Sequence, residues 1–228
     1  MRETIHLTGR CEGHDLRDQR SGFVMSTLVK SVEFAVADPK VTEVVLRFDS
    51  CPGGVITGIP EAARALLAAS RKKAVTAHVI QVCCSGAFWL ASSCSIVIAA
   101  PNARLGSVGV VQEPEGHFGA GGYFCAAGRL KAAGRPRIPL PADQEAYLQA
   151  SVDREYLQFI QALGAGRGVS RADVLRDFGE GASVGVADAL RAGMIDRVAY
   201  ELDPVEISAP LARHNAAMRD SIAKSLGY

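Results

Sequence analysis

The feature that most constrains the fold of this chain is the alternation of strand-like and helix-like segments over its first two thirds. Apolar residues recur at helical spacing from Met25 and again from Ile59, and each such segment is followed by an apolar run, EVVLRF at 43–48 and AVTAHVI at 74–80. Runs of this kind are typical of strands that are covered on both faces, as in a parallel sheet. The order β-α-β-α-β-α-β, from TIHLTG to IVIAA at 96–100, predicts an α/β fold with right-handed crossovers.

The remainder of the chain is predicted to be mainly helical. Its segments are a glycine-rich loop at 116–124, a long helix from 142 to about 163, two shorter helices within 170–192 and a late strand at 194–200. A polar segment from Pro210 predicts a last helix. We therefore expect a main domain over residues 1–200 and a C-terminal helical tail over 201–228.

Composition excludes several classes of protein. The 228 residues are 48% hydrophobic and 21% charged, with a net charge of +1 and no basic face or polybasic segment. This pattern predicts no nucleic-acid partner. The N-terminus lacks the apolar stretch of a signal peptide, and the longest apolar runs are shorter than a membrane span, so we expect no membrane anchor and a cytoplasmic location.

The six cysteines do not suggest a disulfide framework or a metal site. A chain of this length has no need of disulfides, and the Cys83–Cys84 pair lies in a core-like run, which favours reduced thiols. No CxxC or HExxH spacing occurs. We predict neither a metal nor another cofactor.

A single serine interrupts the apolar stretch VCCSGAFWLASSCSIVIAA, at 82–100. Ser85 is placed where a strand meets a helix, and it could be a packing residue, a helix cap or a nucleophile. Free backbone N–H groups at a helix start favour a developing negative charge, so Gly86 is a candidate oxyanion donor. The turn PGG follows another strand of the same sheet and offers Gly53 or Gly54 as a second donor. Either signal alone is more often only a cap or a turn.

A serine nucleophile needs a base, and the sequence offers few. Lys131 differs from the other lysines because apolar and small residues precede it, and partial burial would lower its pKa. His117, in a glycine-rich loop beside Glu115, is an alternative base. Cys84 is an alternative nucleophile, although thiols in an apolar run are more often inert. His78, inside a strand, fits a core histidine with its hydrogen bonds satisfied.

A set of motifs in order then resembles a known family. The segments are ADPKVTEVVLRFDSCPGG, CCSGAFWLAS, ARLGSVGVV, AAGRLKAAGRP, LQASVDREYLQFIQALGAGRGVS and ADALRAGMIDRV. Together they are similar to the S49 serine peptidases, which include signal peptide peptidase A and the prohead proteases of tailed phages. The resemblance runs from about Ile5 to Val198. It implies a ClpP/crotonase-like spiral of parallel strands and helices, a Ser–Lys dyad and a ring-like homo-oligomer.

Matched by motif, the resemblance assigns a role to each candidate. Ser85 corresponds to the nucleophile, Lys131 to the general base, and Ser107 of GSVG to a serine that hydrogen-bonds the lysine. Gly53 and Gly86 correspond to the oxyanion donors. The sequence departs from the family's usual DSPGG, reading DSCPGG, and an inserted Cys51 would shift Gly53.

The prediction is therefore a serine endopeptidase that acts on polypeptides and favours small or apolar side chains. Degradation of signal peptides or protein remnants, and maturation of a phage prohead in the host cytoplasm, are both compatible with the resemblance. Three alternatives remain open: an inactive ring-forming scaffold subunit, a ClpP-like Ser-His-Asp peptidase that uses His117, and a crotonase-like acyl-CoA enzyme.

Overall fold

The computed structural model describes residues 1–12, 22–112, 125–128, 131 and 142–201. Within them, the helices are α1 (Met25–Ala37), α2 (Ile59–Lys72), α3 (Gly86–Ser92), α4 (Ala142–Arg167), α5 (Arg171–Asp177) and α6 (Val186–Arg191). The strands are β1 (Arg2–Thr8), β2 (Arg10–Glu12), β3 (Gly22–Val24), β4 (Glu43–Cys51), β5 (Ala74–Cys84), β6 (Ile96–Ala99), β7 (Arg104–Gly106), β8 (Val110–Gln112), β9 (Cys125–Ala127), β10 (Ser183–Gly185) and β11 (Arg197–Val198).

A mostly parallel sheet forms the centre of the fold. Its main path runs β1-β4-β5-β6-β11, and every pair along this path is parallel. Strand β7 joins the far end of β5 in parallel, and β10 pairs with β7 in the antiparallel direction. The predicted α/β architecture with a parallel sheet is confirmed.

Helices α1 and α2 have the amphipathic pattern that the sequence predicts. Their buried positions repeat at three- and four-residue intervals, so one side of each helix is apolar and lies in the core. In α1 and α2 these positions are Met25, Leu28, Val32 and Ala35, then Ile59, Ala62, Ala63, Leu66 and Ala69. Gly58 caps α2 with a φ of 83°, a left-handed conformation that glycine adopts at little cost.

Strand β5 is longer than predicted and changes partners along its length. The sequence predicted a strand over 74–80, whereas β5 continues to Cys84. Its first part pairs with β6 from Thr76 to Val79, and its end pairs with β7 from Val82 to Cys84. Because β7 occupies the position beside the end of β5, the residue that follows Cys84 is placed next to the chain that leaves β7.

Helix α3 is buried on every side. All seven of its residues are buried, and Trp89 stacks on Phe159 of α4 with ring centroids 4.6 Å apart. Phe88 meets Phe178 edge to face at 6.3 Å. These aromatic contacts fix α3 against the C-terminal half of the described chain.

A buried ion pair connects α4 to the sheet. Arg167 Nη2 donates to Asp196 Oδ1 at 2.7 Å, and Arg167 Nε donates to the Gly193 carbonyl at 3.0 Å. Asp196 Oδ2 accepts from the Val97 N–H at 2.7 Å, at the start of β6. The pair therefore links the last turn of α4 to β6 and to the turn that precedes β11.

Some predicted boundaries differ from the structure. The late strand predicted at 194–200 is reduced to Arg197–Val198, since residues 192–195 complete the turn after α6. The short strands β2, β3 and β7–β10 were not predicted, because three residues are too few to show a periodicity. The loop at 116–124 lies outside the described residues, as does the tail beyond 201, so the division at residue 200 remains a prediction.

No helix in the described ranges has the length and apolar character needed to cross a membrane. Among the same residues, no group of three or more His, Cys, Asp or Glu side chains is arranged to hold a metal ion. Cys11, Cys51, Cys83 and Cys84 are buried free thiols, and Cys94 is also buried.

Candidate active site

Ser85 occupies a sharp junction between β5 and α3. Its φ of 54° and ψ of −127° are unusual for a residue with a side chain. The Ser85 N–H donates to the Gly106 carbonyl at 2.6 Å, and the Ser85 carbonyl accepts from the Trp89 N–H at 3.0 Å. The hydroxyl makes no capping bond to α3. The reading of Ser85 as a helix cap therefore loses its basis, while its backbone is tightly held.

The first glycine of the PGG turn lies against this serine. A Cβ atom on Gly53 would be 2.7 Å from Ser85 Cβ, and the φ of Gly53 is 105°. The Gly53 carbonyl accepts from Cys11 N at 2.9 Å, and the Val55 N–H donates to the Cys11 carbonyl at 3.0 Å. In a parallel bridge of this kind, the N–H of the intervening Gly54 points away from Cys11. Gly54 and Ser85 line the same cleft.

Gly86 provides the other backbone group beside Ser85. It is the first residue of α3, where N–H groups have no partner within the helix. A Cβ on Gly86 would collide with Ile59 Cδ1, so a larger residue here would displace the Ile59 side chain of α2. The structure therefore brings Gly53, Gly54 and Gly86 to Ser85.

Cys51 does not carry the PGG turn away from Ser85. In the pairing with β1, β4 has one additional residue at Asp49, since Leu7 faces Phe48 and Thr8 faces Ser50. The pairing with β5 shifts at the same place, since Phe48 faces Val79 and Ser50 faces Val82, and Cys51 then pairs with Cys83. The Cys51 thiol donates to the Leu7 carbonyl at 3.3 Å, and Gly53 still lies in contact with Ser85.

The side chain of Lys131 ends at Ser107. Its Nζ donates to the Ser107 carbonyl and to Ser107 Oγ, each at 2.9 Å. Burial lowers the pKa of the Lys131 amine to about 8, and the neighbouring Cys84 raises it to a smaller extent. The amine is therefore half-buried, hydrogen-bonded and more easily deprotonated than an ordinary lysine.

Ser85 and Lys131 are connected through the chain that leaves β7. Gly106 accepts from the Ser85 N–H, and the next residue, Ser107, binds the Lys131 amine. The described contacts include no direct hydrogen bond between Ser85 Oγ and Lys131 Nζ. The structure thus places Lys131 in the same neighbourhood as Ser85, with Ser107 as the residue that orients it.

A cleft of about 890 Å³ opens beside Ser85. Its apolar lining includes Ile56, Ile59, Trp89 and Phe159. Its full lining is Arg10, Gly54, Val55, Ile56, Thr57, Ile59, Ser85, Gly86, Trp89, Gly109, Val110, Val111, Gln112, Glu155 and Phe159. The cleft combines these apolar side chains with polar ones such as Arg10, Gln112 and Glu155, and its size suits a ligand.

The rival catalytic groups have less support. Burial raises the pKa of the Cys84 thiol, which disfavours the thiolate that a cysteine nucleophile requires. Burial also raises the pKa of Cys11 and of Cys51 to about 12. His78 is buried in β5, as predicted for a core histidine; it has a hydrogen bond with the Ala199 backbone, but its Nε2 has no partner among the described residues, so its hydrogen bonds are only partly satisfied. His117 lies outside the described residues.

Sequence reasoning missed one contributor to the site. The Ala182 carbonyl accepts from the Ser107 N–H at 2.8 Å and so fixes the residue that holds Lys131. No residue-type signal could have identified it, because every residue has a backbone carbonyl.

An α/β spiral with a serine at a strand-to-helix junction is the architecture of a class of serine peptidases. The sequence model of peptidase family S49 matches residues 68–213, more than half of the chain. The chain belongs to peptidase family S49. The resemblance inferred from the motifs is thereby confirmed.

Several proteins with similar sequences are named as proteases. A protein of Methanocaldococcus jannaschii, provisionally named as a protease, is 26% identical over 181 residues, which are 77% of this chain and 58% of that protein. Capsid assembly protease C of Escherichia phage lambda is 28% identical over 187 residues, 79% of this chain and 42% of that protein. The chain spans about half the length of these two relatives.

A solved structure shares the fold. A mutant of the 1510-N membrane-bound stomatin-specific protease superposes with a TM-score of 0.56 at 12% identity, covering 89% of this chain and 81% of the other. The predicted ClpP-like spiral is confirmed by this likeness.

The contact between Gly53 and Ser85 leads to a first prediction. We expect Gly53→Ala to lower kcat/KM by more than about tenfold, because small displacements of reacting groups are costly. The positive φ adds a destabilisation of about 1–3 kcal/mol. Peptide hydrolysis and urea unfolding would measure the two effects. Gly58→Ala is the matched control, since Gly58 also has a positive φ but faces Met25 rather than Ser85. Equal activity losses in both variants would contradict the prediction.

Proposed function

We propose that this chain is a serine endopeptidase in which Ser85 is the nucleophile and Lys131 is the general base. The observation that carries the proposal is the position of the Lys131 amine, half-buried and held by Ser107, one residue after the Gly106 carbonyl that binds the Ser85 backbone. Ser–Lys pairs are one of the recognised variants of the serine hydrolase arrangement. Membership of family S49 supports the same assignment.

The proposed reaction proceeds through an acyl-enzyme. Neutral Lys131 takes the proton of the Ser85 hydroxyl as Oγ bonds to the peptide carbonyl carbon. The carbonyl oxygen becomes an oxyanion and accepts hydrogen bonds from the N–H groups of Gly86 and of Gly53 or Gly54. The Lys131 ammonium then protonates the leaving nitrogen as the C–N bond breaks. Water attacks the ester by the same route, and Ser85 recovers its proton.

The lowered pKa makes this assignment of the base workable. An ordinary lysine with a pKa of about 10.4 is less than 1% neutral at about pH 8. With a pKa of about 8, Lys131 is about half neutral at the same pH. Ser107 keeps the amine from rotating away, since it accepts two of the hydrogen bonds that Nζ can donate.

The same shift predicts the pH dependence of activity. We expect kcat/KM to rise about tenfold per pH unit below a pH of about 8 and to level off above it, because only the neutral amine is the active form. Initial rates on a fluorogenic peptide between pH 6 and 10 would measure this. A profile with its midpoint near the pKa of an ordinary histidine, together with inactivity of His117→Ala, would transfer the role of base to His117.

Stability should depend on pH through the same group. The folded-state pKa of Lys131 lies below its unfolded value of 10.5, so between about pH 8 and 10.5 the unfolded chain binds more protons. The contribution of Lys131 to the free energy of unfolding therefore increases with pH across this window and is at its lowest below it. Urea unfolding of wild type and Lys131→Met at pH 7.5 and 10 should show this difference.

The substrate is proposed to be a polypeptide with a small or apolar side chain at the cleft. The apolar lining of the cleft supports this choice, and Trp89 and Phe159 form part of its wall. Similarity to a phage capsid assembly protease favours a structural protein of a phage head as substrate, in the host cytoplasm. Degradation of protein remnants remains the second setting.

We further propose a ring-like homo-oligomer, to be tested by light scattering after size-exclusion chromatography.

Degradation of unfolded casein and a set of fluorogenic peptides by the assembled protein tests the proposed function. Cleavage that depends on Ser85 would establish a serine endopeptidase. No cleavage by assembled wild-type protein would favour an inactive scaffold subunit.

A further inference from the structure

Three glycines from separate segments surround the stem of Lys131. A Cβ on Gly109 would lie 3.1 Å from both Cβ and Cγ of Lys131, and a Cβ on Gly181 would lie 2.9 Å from its Cα and Cβ. The carbonyl of Gly128 accepts from the Lys131 N–H at 2.8 Å. A Cβ on Gly128 would be 3.2 Å from Gly109 Cα and 3.4 Å from Gly181 Cα, so the three glycines also meet one another. We call Gly109, Gly128 and Gly181 the glycine collar.

Gly181 belongs to a turn that also forms a hydrogen bond with Ser107. The Ala182 carbonyl accepts from the Ser107 N–H at 2.8 Å, and Ser107 Oγ accepts from Lys131 Nζ. Gly181, the residue before Ala182, packs on the Lys131 backbone. This turn therefore contacts both residues that form the hydrogen bond, Lys131 and Ser107.

The backbone of this turn is unusual. Gly179, Glu180 and Gly181 all have positive φ, of 85°, 46° and 96°. Positive φ costs the two glycines little, whereas at Glu180, which carries a side chain, it is a strained conformation. Gly181 and Ala182 are the residues of this turn that contact Lys131 and Ser107.

We propose that Gly181 is a positioning residue for Lys131. Because residue 181 has no side chain, the turn can pack directly on the Lys131 backbone while the Ala182 carbonyl binds the Ser107 N–H. These two contacts keep the Lys131 amine half-buried and within hydrogen-bond distance of Ser107. A side chain at 181 would push Lys131 outward and return its amine to water. This inference deepens the proposed function and rests on it for its effect on catalysis.

The test compares Gly181→Ala with Gly193→Ala. Gly193 has a φ of 76°, so its substitution introduces the same kind of strain, but an added Cβ there would meet only Val169 Cγ1 at 3.8 Å. The readouts are kcat and KM, and the NMR titration of ¹³C-labelled lysine side chains. The chain has six lysines, so the signal of Lys131 can be assigned by its loss in Lys131→Met.

We expect Gly181→Ala to lower kcat by more than about tenfold with KM nearly unchanged, as for a misplaced reacting group. The Lys131 titration should move upward from about 8 towards the ordinary value of about 10.4. Gly193→Ala should match wild type in both. An unmoved titration in folded Gly181→Ala overturns the inference, whatever happens to kcat. A moved titration with unchanged kcat retains the inference and counts against Lys131 as the base.

Wild-type protein supplies a second test should Gly181→Ala fail to fold. The contacts predict nuclear Overhauser effects between the Hβ protons of Lys131 and the Hα protons of Gly109 and Gly181. Their presence supports the collar, and their absence overturns it.

Discussion

Replacing Ser85 with alanine should abolish peptide hydrolysis while leaving the fold intact. We expect kcat/KM to fall by at least about 10³-fold, as happens when a serine hydrolase loses its nucleophile. The hydroxyl makes no capping bond to α3, so its removal should have little effect on the free energy of unfolding. Initial rates on a fluorogenic peptide and a urea unfolding curve would separate the two effects.

Ser93→Ala provides the matched control. Ser93 follows α3 directly, is buried, and its Oγ donates to the Trp89 carbonyl at 3.1 Å. Its loss should cost about 0.5–1.5 kcal/mol of stability and leave kcat/KM unchanged. Wild-type rates in Ser85→Ala would rule out the proposed nucleophile, and a similar rate loss in both variants would point to a general disturbance of α3.

The second large effect is expected for Lys131→Met, which keeps the apolar stem and removes the amine. Without a base the serine hydroxyl stays protonated, so kcat/KM should fall by at least about 10³-fold. The increase in rate towards a pH of about 8 should disappear together with the amine that produces it. A pH–rate profile of the residual activity would show whether it has.

Lys73→Met separates the catalytic role from the loss of a partly buried amine. Lys73 Nζ donates to the carbonyls of Ala35 and Asp38 at 3.3 and 2.6 Å, and these groups are not part of the site. We expect Lys73→Met to be destabilised but fully active once folded. Full activity in Lys131→Met, with loss in His117→Ala, would require the Ser-His-Asp alternative.

The order of strands and helices could be predicted because each long element carries its own periodicity. Helices α1 and α2 show their buried side directly in the sequence, and β4 appears as the β-branched segment EVVLRF. The end of β5 could not be predicted, since its last residues pair with the three-residue strand β7, which leaves no pattern. For the same reason the sequence did not reveal how Ser107 comes to lie beside Ser85.

The side chains of the candidate site could be predicted from the sequence, but the backbone contacts that hold them could not. Ser85, Lys131 and Ser107 could be selected because their side chains have suitable chemistry and their motifs resemble a family. The contacts that hold them are made by backbone groups, such as the Ala182 carbonyl on Ser107. Packing against glycines is equally silent in a sequence, because a missing side chain is informative only when its neighbour in space is known.

The hydrogen bond from Ser107 to Ala182 has a consequence for the newly made chain. Ser85 is synthesised long before Ala182, so a nascent polypeptide that already contains the proposed nucleophile still lacks the carbonyl that holds Ser107. The proposed activity would then appear only after nearly all of the described residues have been synthesised and have folded. An arrangement of this kind would tie the proposed activity to completion of the fold, because the last support of the site comes from residues near the end of the described chain.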